Sequence, residues 1–151
     1  MSGSAQRTVH AHWHGGMRAV VEAGHFDIVS DEPLSAGGSD TGPTPTDLFL
    51  ASIASCFVLA LAWAARHADK ELPGLQVRVV GTYAGPRFSR IEIEVSSDAP
   101  GTVVDDLLPE AERVCYVTNS LRNPPELHVE RVVKSAPSPR KAPSADGGRS
   151  P

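Results

Sequence analysis

The chain has 151 residues, a formal net charge of −4 and a hydrophobic fraction of 40%. That length allows one domain with a real core, and the mild acidity without any lysine–arginine cluster argues against nucleic acid as a partner. No basic-then-apolar signal opens the sequence, so a cytoplasmic location is expected, where two cysteines are more often free, catalytic or redox-active than structural.

Residues 1–6 are small and polar and are expected to be loose. Residues 7–13 alternate, with Val9, Ala11 and Trp13 on one face and His10, His12 and His14 on the other. This is the pattern of a half-buried strand. Three histidines two apart have metal-ligand spacing. A wet strand face that carries imidazoles accounts for them as well, and no metal or other cofactor is assigned. Gly15-Gly16 signals a hairpin turn, residues 18–22 a second strand, Gly24 another turn, and residues 25–30 a third strand. Phe26, Ile28 and Leu34 are expected to point inward. Residues 31–41 form a Ser, Gly and Asp-rich loop, a natural place for binding residues.

A capping box follows. Thr44 is the expected N-cap, Pro45 fits the first helical position, and Asp47 stands three residues after the cap. Residues 48–65 then carry no charge. A helix apolar on every side belongs in a core or a membrane. This run is rich in Ala and contains Ser52, Ser55 and Cys56, so a buried helix is expected rather than a span. It should run to about Asp69 or Lys70, where Pro73-Gly74 stops it.

Residues 76–83 read as a strand, Gly85-Pro86 as a turn, and residues 90–96 as a strand with Ile91, Ile93 and Val95 inward. Thr102 is the expected cap of a second helix with Asp105 as its boxed acid. Pro109 is expected to break or kink that helix, because it removes the bond to Asp105. Residues 110–115 should be helical beyond it, and residues 116–123 should add a short helical turn. Residues 127–133 alternate as a last strand, and residues 135–151 read as a disordered tail whose deletion should be tolerated. The order is three strands, long helix, two strands, helix, final strand. The fold class is α+β, with antiparallel strands around a central apolar helix, a domain over residues 1–134 and a tail beyond.

Cys56 sits in the middle of the apolar helix. A buried inert thiol and a placed nucleophile both fit that position, since free cysteine is among the most buried residue types.

The segment Gly-Gly-x-x-x-Gly-Pro-Thr-Pro-x-Asp-Leu followed by Leu-Ala-Ser-x-Ala-Ser-Cys resembles the signature of the OsmC/Ohr family, the osmotically inducible and organic hydroperoxide resistance proteins. The later Ala-Glu-Arg-Val-Cys-Tyr-Val-Thr-Asn-Ser-Leu resembles that family's second cysteine segment. The resemblance in element order covers about residues 7–133. It implies an intertwined homodimer and a thiol-dependent peroxidase acting on organic hydroperoxides, regenerated by a dithiol of lipoyl type or a small thiol. By the same resemblance Cys56 is the peroxidatic cysteine and Cys115 the resolving one. Phe49, Ile53 and Phe57 are candidates for an apolar substrate pocket, although core packing explains them equally well. The family's peroxidases supply a glutamate just after the helix-start proline and an arginine from the first hairpin. Here Thr46 stands at the first position and Gly15 at or near the second, with Arg18 as the nearest candidate. A non-catalytic or weakly active binding or redox-sensing protein on the same fold is the alternative.

Overall fold

Helix α1, Pro45–His67, starts where its capping chemistry requires. Thr44 stays extended, its hydroxyl accepts the Asp47 N–H at 3.1 Å, and its own N–H donates to Asp47 Oδ2 at 3.1 Å. Two otherwise unpartnered donors are thereby satisfied. The helix stops two or three residues earlier than expected. Asp69 adopts φ 51, and the Lys70 N–H turns back to the Ala65 carbonyl at 2.9 Å. This left-handed closure satisfies the last carbonyls before Pro73 is reached.

The computed structural model describes residues 5–132. Strands β1 (Val9–Trp13), β2 (Ala19–Ala23) and β3 (Phe26–Ser30) form an antiparallel sheet in that order. Strands β4 (Gln76–Tyr83) and β5 (Phe88–Ser96) form a separate hairpin with an irregularity at Thr82/Tyr83. Helices α2 (Gly101–Val114) and α3 (Tyr116–Arg122) complete the α+β order.

The core lies between α1, the β4–β5 hairpin and α2. Phe57, Ala60, Leu61, Ala64 and Ala65 of α1 bury against Leu107, Ala111 and Cys115, with Val77, Ile93 and Val95 packed alongside. Val77 pairs with Val95 and Val79 with Ile93, so the alternation in both strands delivers one apolar face to the helix. Gly81 is needed there: a Cβ would stand 2.6 Å from the Phe88 ring and 3.1 Å from Leu50. By length and composition alone α1 is apolar enough to cross a membrane, but here it packs on β4, α2 and α3.

The first sheet behaves differently. Its register puts Val9, Ala23 and Phe26 on one row and Ala11, Val21 and Ile28 on the next, all on one face. The predicted alternation is therefore real. However, Val9 is 63% exposed, Trp13 76% and Phe26 64%, and Leu34 is 76% exposed in a short 3-10 turn. The inward orientation expected for Phe26, Ile28 and Leu34 does not occur among the described residues, because α1 packs on the other hairpin instead.

Three further expectations need correction. Helix α2 begins at Gly101 with Pro100 at the cap position and no side-chain cap, so Thr102 lies inside the helix. Pro109 does not break it. Leu107 and Ala111 flank the proline and are buried in the core, and that packing outweighs one lost backbone bond. The break comes at Cys115, whose extended ψ of 104 separates α2 from α3. Last, residues 127–132 form no strand. Alternation supplies a face but not a partner edge, and Leu127, Val129 and Val132 stay 93%, 86% and 78% exposed. The tail and Val133 lie outside the described residues.

Candidate functional site

Two elements bring the cysteines together. Cys56 projects from the middle of α1 toward the α2–α3 joint, and Cys115 occupies that joint. Their side chains meet, although they are 59 positions apart in sequence. Both thiols are free. Cys56 is partly exposed, whereas Cys115 is fully buried at 0% exposure.

Their electrostatics differ. Burial pushes the Cys56 thiol above its ordinary value, and the neighbouring Cys115 adds to that, against backbone donors at Val117 and Tyr116. Burial also acts to raise Cys115. There the Thr118 side chain, the backbone at Thr118 and Val117, and Cys56 itself prevail and hold the thiol below its ordinary value. The opening residues of α3 thus face both sulfurs.

Beside Cys56 lies an apolar cavity of about 400 Å³, walled by Leu59, Ala60, Trp63, Val114 and Tyr116. The sequence candidates for that pocket sit elsewhere. Phe49 lines a separate cavity with Thr46, Tyr83 and Phe88, and stacks on Phe88 at 5.9 Å. Ile53 is fully buried and faces Phe88, Ile91, Thr118 and Leu121. Phe57 is buried toward β5 and α2. Leu59, Ala60 and Trp63, which wall the cavity beside Cys56, follow it at positions +3, +4 and +7, which helical spacing puts on the same face. That signal was present in the sequence.

Arg18 does not join this site within the chain. It closes the first hairpin turn through its backbone, donating to Gly15 O at 3.1 Å and accepting from His14 N–H at 3.0 Å. Thr46, ten residues before Cys56, accepts a hydrogen bond from Tyr83 Oη at 2.8 Å. On the β1 face, His12 Nε2 stands 3.6 Å from a Glu22 carboxylate oxygen, and no group of three metal-ligand side chains occurs among the described residues.

The loop that delivers α1 is pinned by Asp31, which is 1% exposed. Its carboxylate accepts the N–H groups of Glu32, Ser39 and Thr41 and the Thr41 hydroxyl, at 2.7 to 3.2 Å. The Thr41 side chain is the main cause that lowers its pKa; burial opposes it, and the three backbone donors reinforce it. Gly38 fits the same tight loop, because a Cβ there would fall 1.8 Å from the Glu32 carbonyl oxygen. A sequence reading finds the loop but not this carboxylate, since one aspartate among several looks the same.

Comparison with known proteins gives a family and a fold. The sequence model of the family described as OsmC-like protein matches residues 37–130, which include both cysteines. An uncharacterised protein of Acinetobacter baylyi is 29% identical over 123 residues, covering 77% of this chain and 86% of that protein. The OsmC-like protein of Mycoplasma pneumoniae is similar in structure with a TM-score of 0.67 at 16% identity, over 81% of this chain and 91% of that one. An organic hydroperoxide resistance protein of Elizabethkingia anophelis gives a TM-score of 0.61 at 23% identity, over 82% and 93%. At these identities the structural likeness speaks to the fold.

Proposed function

The chain belongs to the OsmC-like protein family, and from that premise we propose that it is a cysteine-based peroxidase reducing organic hydroperoxides in the cytoplasm. One observation carries the reading. Two free thiols meet at the edge of an apolar cavity, the accessible one on the cavity wall and the buried one behind it. The Cys56 thiolate attacks the terminal oxygen of the O–O bond, forming an S–O bond and releasing the alcohol. Cys115 then condenses with the sulfenic acid, losing water and forming the disulfide. The cavity excludes water from the reacting sulfur and favours an alkyl or aryl group on the peroxide.

In this reading the protein works as a homodimer. The apolar face of the first sheet and the alternating residues 127–132 have no cover among the described residues, and a second copy supplies both a face and an edge. The dimer also offers Arg18 a route to a neighbouring Cys56.

A second reading, a binding or redox-sensing protein with slow turnover, is favoured by two specific features. The Cys56 thiol is raised, and Thr46 is engaged with Tyr83 where family peroxidases are expected to carry a glutamate. Consumption of cumene hydroperoxide with excess dithiothreitol separates the two. Turnover that disappears in Cys56→Ser supports the enzyme; stoichiometric oxidation without turnover supports the sensor.

A further inference from the structure

Trp63 walls the Cys56 cavity from two turns further along α1. It is 40% exposed and lies outside the buried core, so core packing does not fix its ring. His67 supplies that constraint. One turn on, along the same helix face, its imidazole stacks on the indole with ring centroids 3.8 Å apart and planes 30° from parallel. The imidazole is anchored in turn, with its Nδ1 2.9 Å from the Trp63 carbonyl oxygen. A carbonyl can only accept, so the Nδ1–H is the donor. His67 itself does not line the cavity.

We infer that His67 is a positioning residue: it holds the Trp63 indole where it walls the cavity, and so sets the preference of this site for bulky hydroperoxides over small ones. The inference rests on the peroxidase reading above, in which the cavity receives the organic group of the peroxide. A tryptophan in a helix has two open χ1 wells, because the third drives the ring into the preceding turn. The stack and the Nδ1–H bond favour one of them. The cavity then keeps a flat apolar wall about 10 Å along the helix from Cys56. A bulky organic group gains contact on that wall, whereas hydrogen peroxide reaches the sulfur without touching it. Because His67 acts through Trp63 and touches no reacting atom, its loss weakens binding of the large substrate and leaves the step at sulfur unchanged. That is a rise in KM with kcat preserved.

The test uses the full-length chain carrying Trp13→Phe, which leaves Trp63 as the sole tryptophan. Its emission is titrated with 2-phenylpropan-2-ol, the alcohol that cumene hydroperoxide leaves behind, so this arm needs no turnover. In His67→Ala the Trp63 anisotropy should fall and the alcohol should bind about three- to tenfold more weakly. His67→Phe keeps a ring to stack and should restore most of both. In turnover assays His67→Ala should raise KM for cumene hydroperoxide by a similar factor, with kcat and the hydrogen peroxide rate unchanged. Unchanged Trp63 anisotropy and alcohol affinity in His67→Ala would overturn the inference. So would equal losses on both peroxides, or a His67→Phe variant no better than His67→Ala. Absence of peroxide turnover in the wild type would overturn the peroxidase reading alone, because the alcohol titration still decides the role of His67.

Discussion

The Cys56 and Cys115 side chains meet between α1 and the α2–α3 joint, and burial holds the Cys56 thiol above its ordinary value. Because Cys56 titrates above its ordinary range, its thiolate fraction grows about tenfold per pH unit across neutral pH. Oxidation of Cys56 should therefore accelerate as pH rises from about 6.5 to about 8.5. Alkylation rates against pH check this, and a Cys56 rate already at its plateau at about pH 6.5 would contradict the raised thiol.

Leu59 and Leu61 stand two positions apart with opposite roles. Leu61 is fully buried in the core, and Leu61→Ala should cost about 2–5 kcal/mol in denaturant titration. Leu59 is 68% exposed on the wall of the Cys56 cavity, and Leu59→Ala should change stability by no more than about 0.5 kcal/mol. It should instead raise KM for a bulky hydroperoxide more than for hydrogen peroxide. Equal effects on both peroxides would show that the cavity does not select its substrate.

Asp31 holds the loop that leads into α1. Its pKa is lowered in the folded chain, so the stability it contributes is full above about pH 3.8 and is lost as pH falls through the lower folded value. Asp31→Ala strands three N–H groups and one hydroxyl, and the melting temperature at neutral pH should fall by at least about 4 °C. The acid limb of the stability profile should flatten in the variant. An unchanged profile would mean that the loop holds without the carboxylate.

Much of this fold was legible in the sequence because the signals were local. The Thr44, Pro45 and Asp47 cap, the alternation in both hairpins and the uncharged run of α1 each fix their element within a few residues. Failures came where a distant partner decides. Pro109 reads as a breaker until the burial of Leu107 and Ala111 is known. Residues 127–132 read as a strand, but no edge among the described residues receives them. In the candidate site, the motif singles out the two cysteines and the fold brings them together, whereas Phe49, Ile53 and Phe57 do not line the cavity beside Cys56. Those residues face the β4–β5 side or α2, and the pocket lies on the turns after Cys56, beside a Tyr116 that only the Cys115 break brings close.

The uncovered face of the first sheet gives an oligomer test. Ile28 and Val21 lie on one row of that face, and Ile28 is 37% exposed. Ile28→Lys should convert a sedimenting dimer to monomer at micromolar concentration without unfolding the β4–β5 hairpin core. A wild-type chain that already sediments as a monomer would contradict the proposed cover.

The central claim is that Cys56 and Cys115 are a working redox pair. Intact mass of the reduced protein after one equivalent of cumene hydroperoxide tests it most directly. The account predicts loss of two hydrogens with disappearance of both titratable thiols, no oxidation in Cys56→Ser, and a sulfenic acid in Cys115→Ser that advances to sulfinic acid with excess peroxide. An unchanged wild-type mass, with both thiols still titratable, would contradict it.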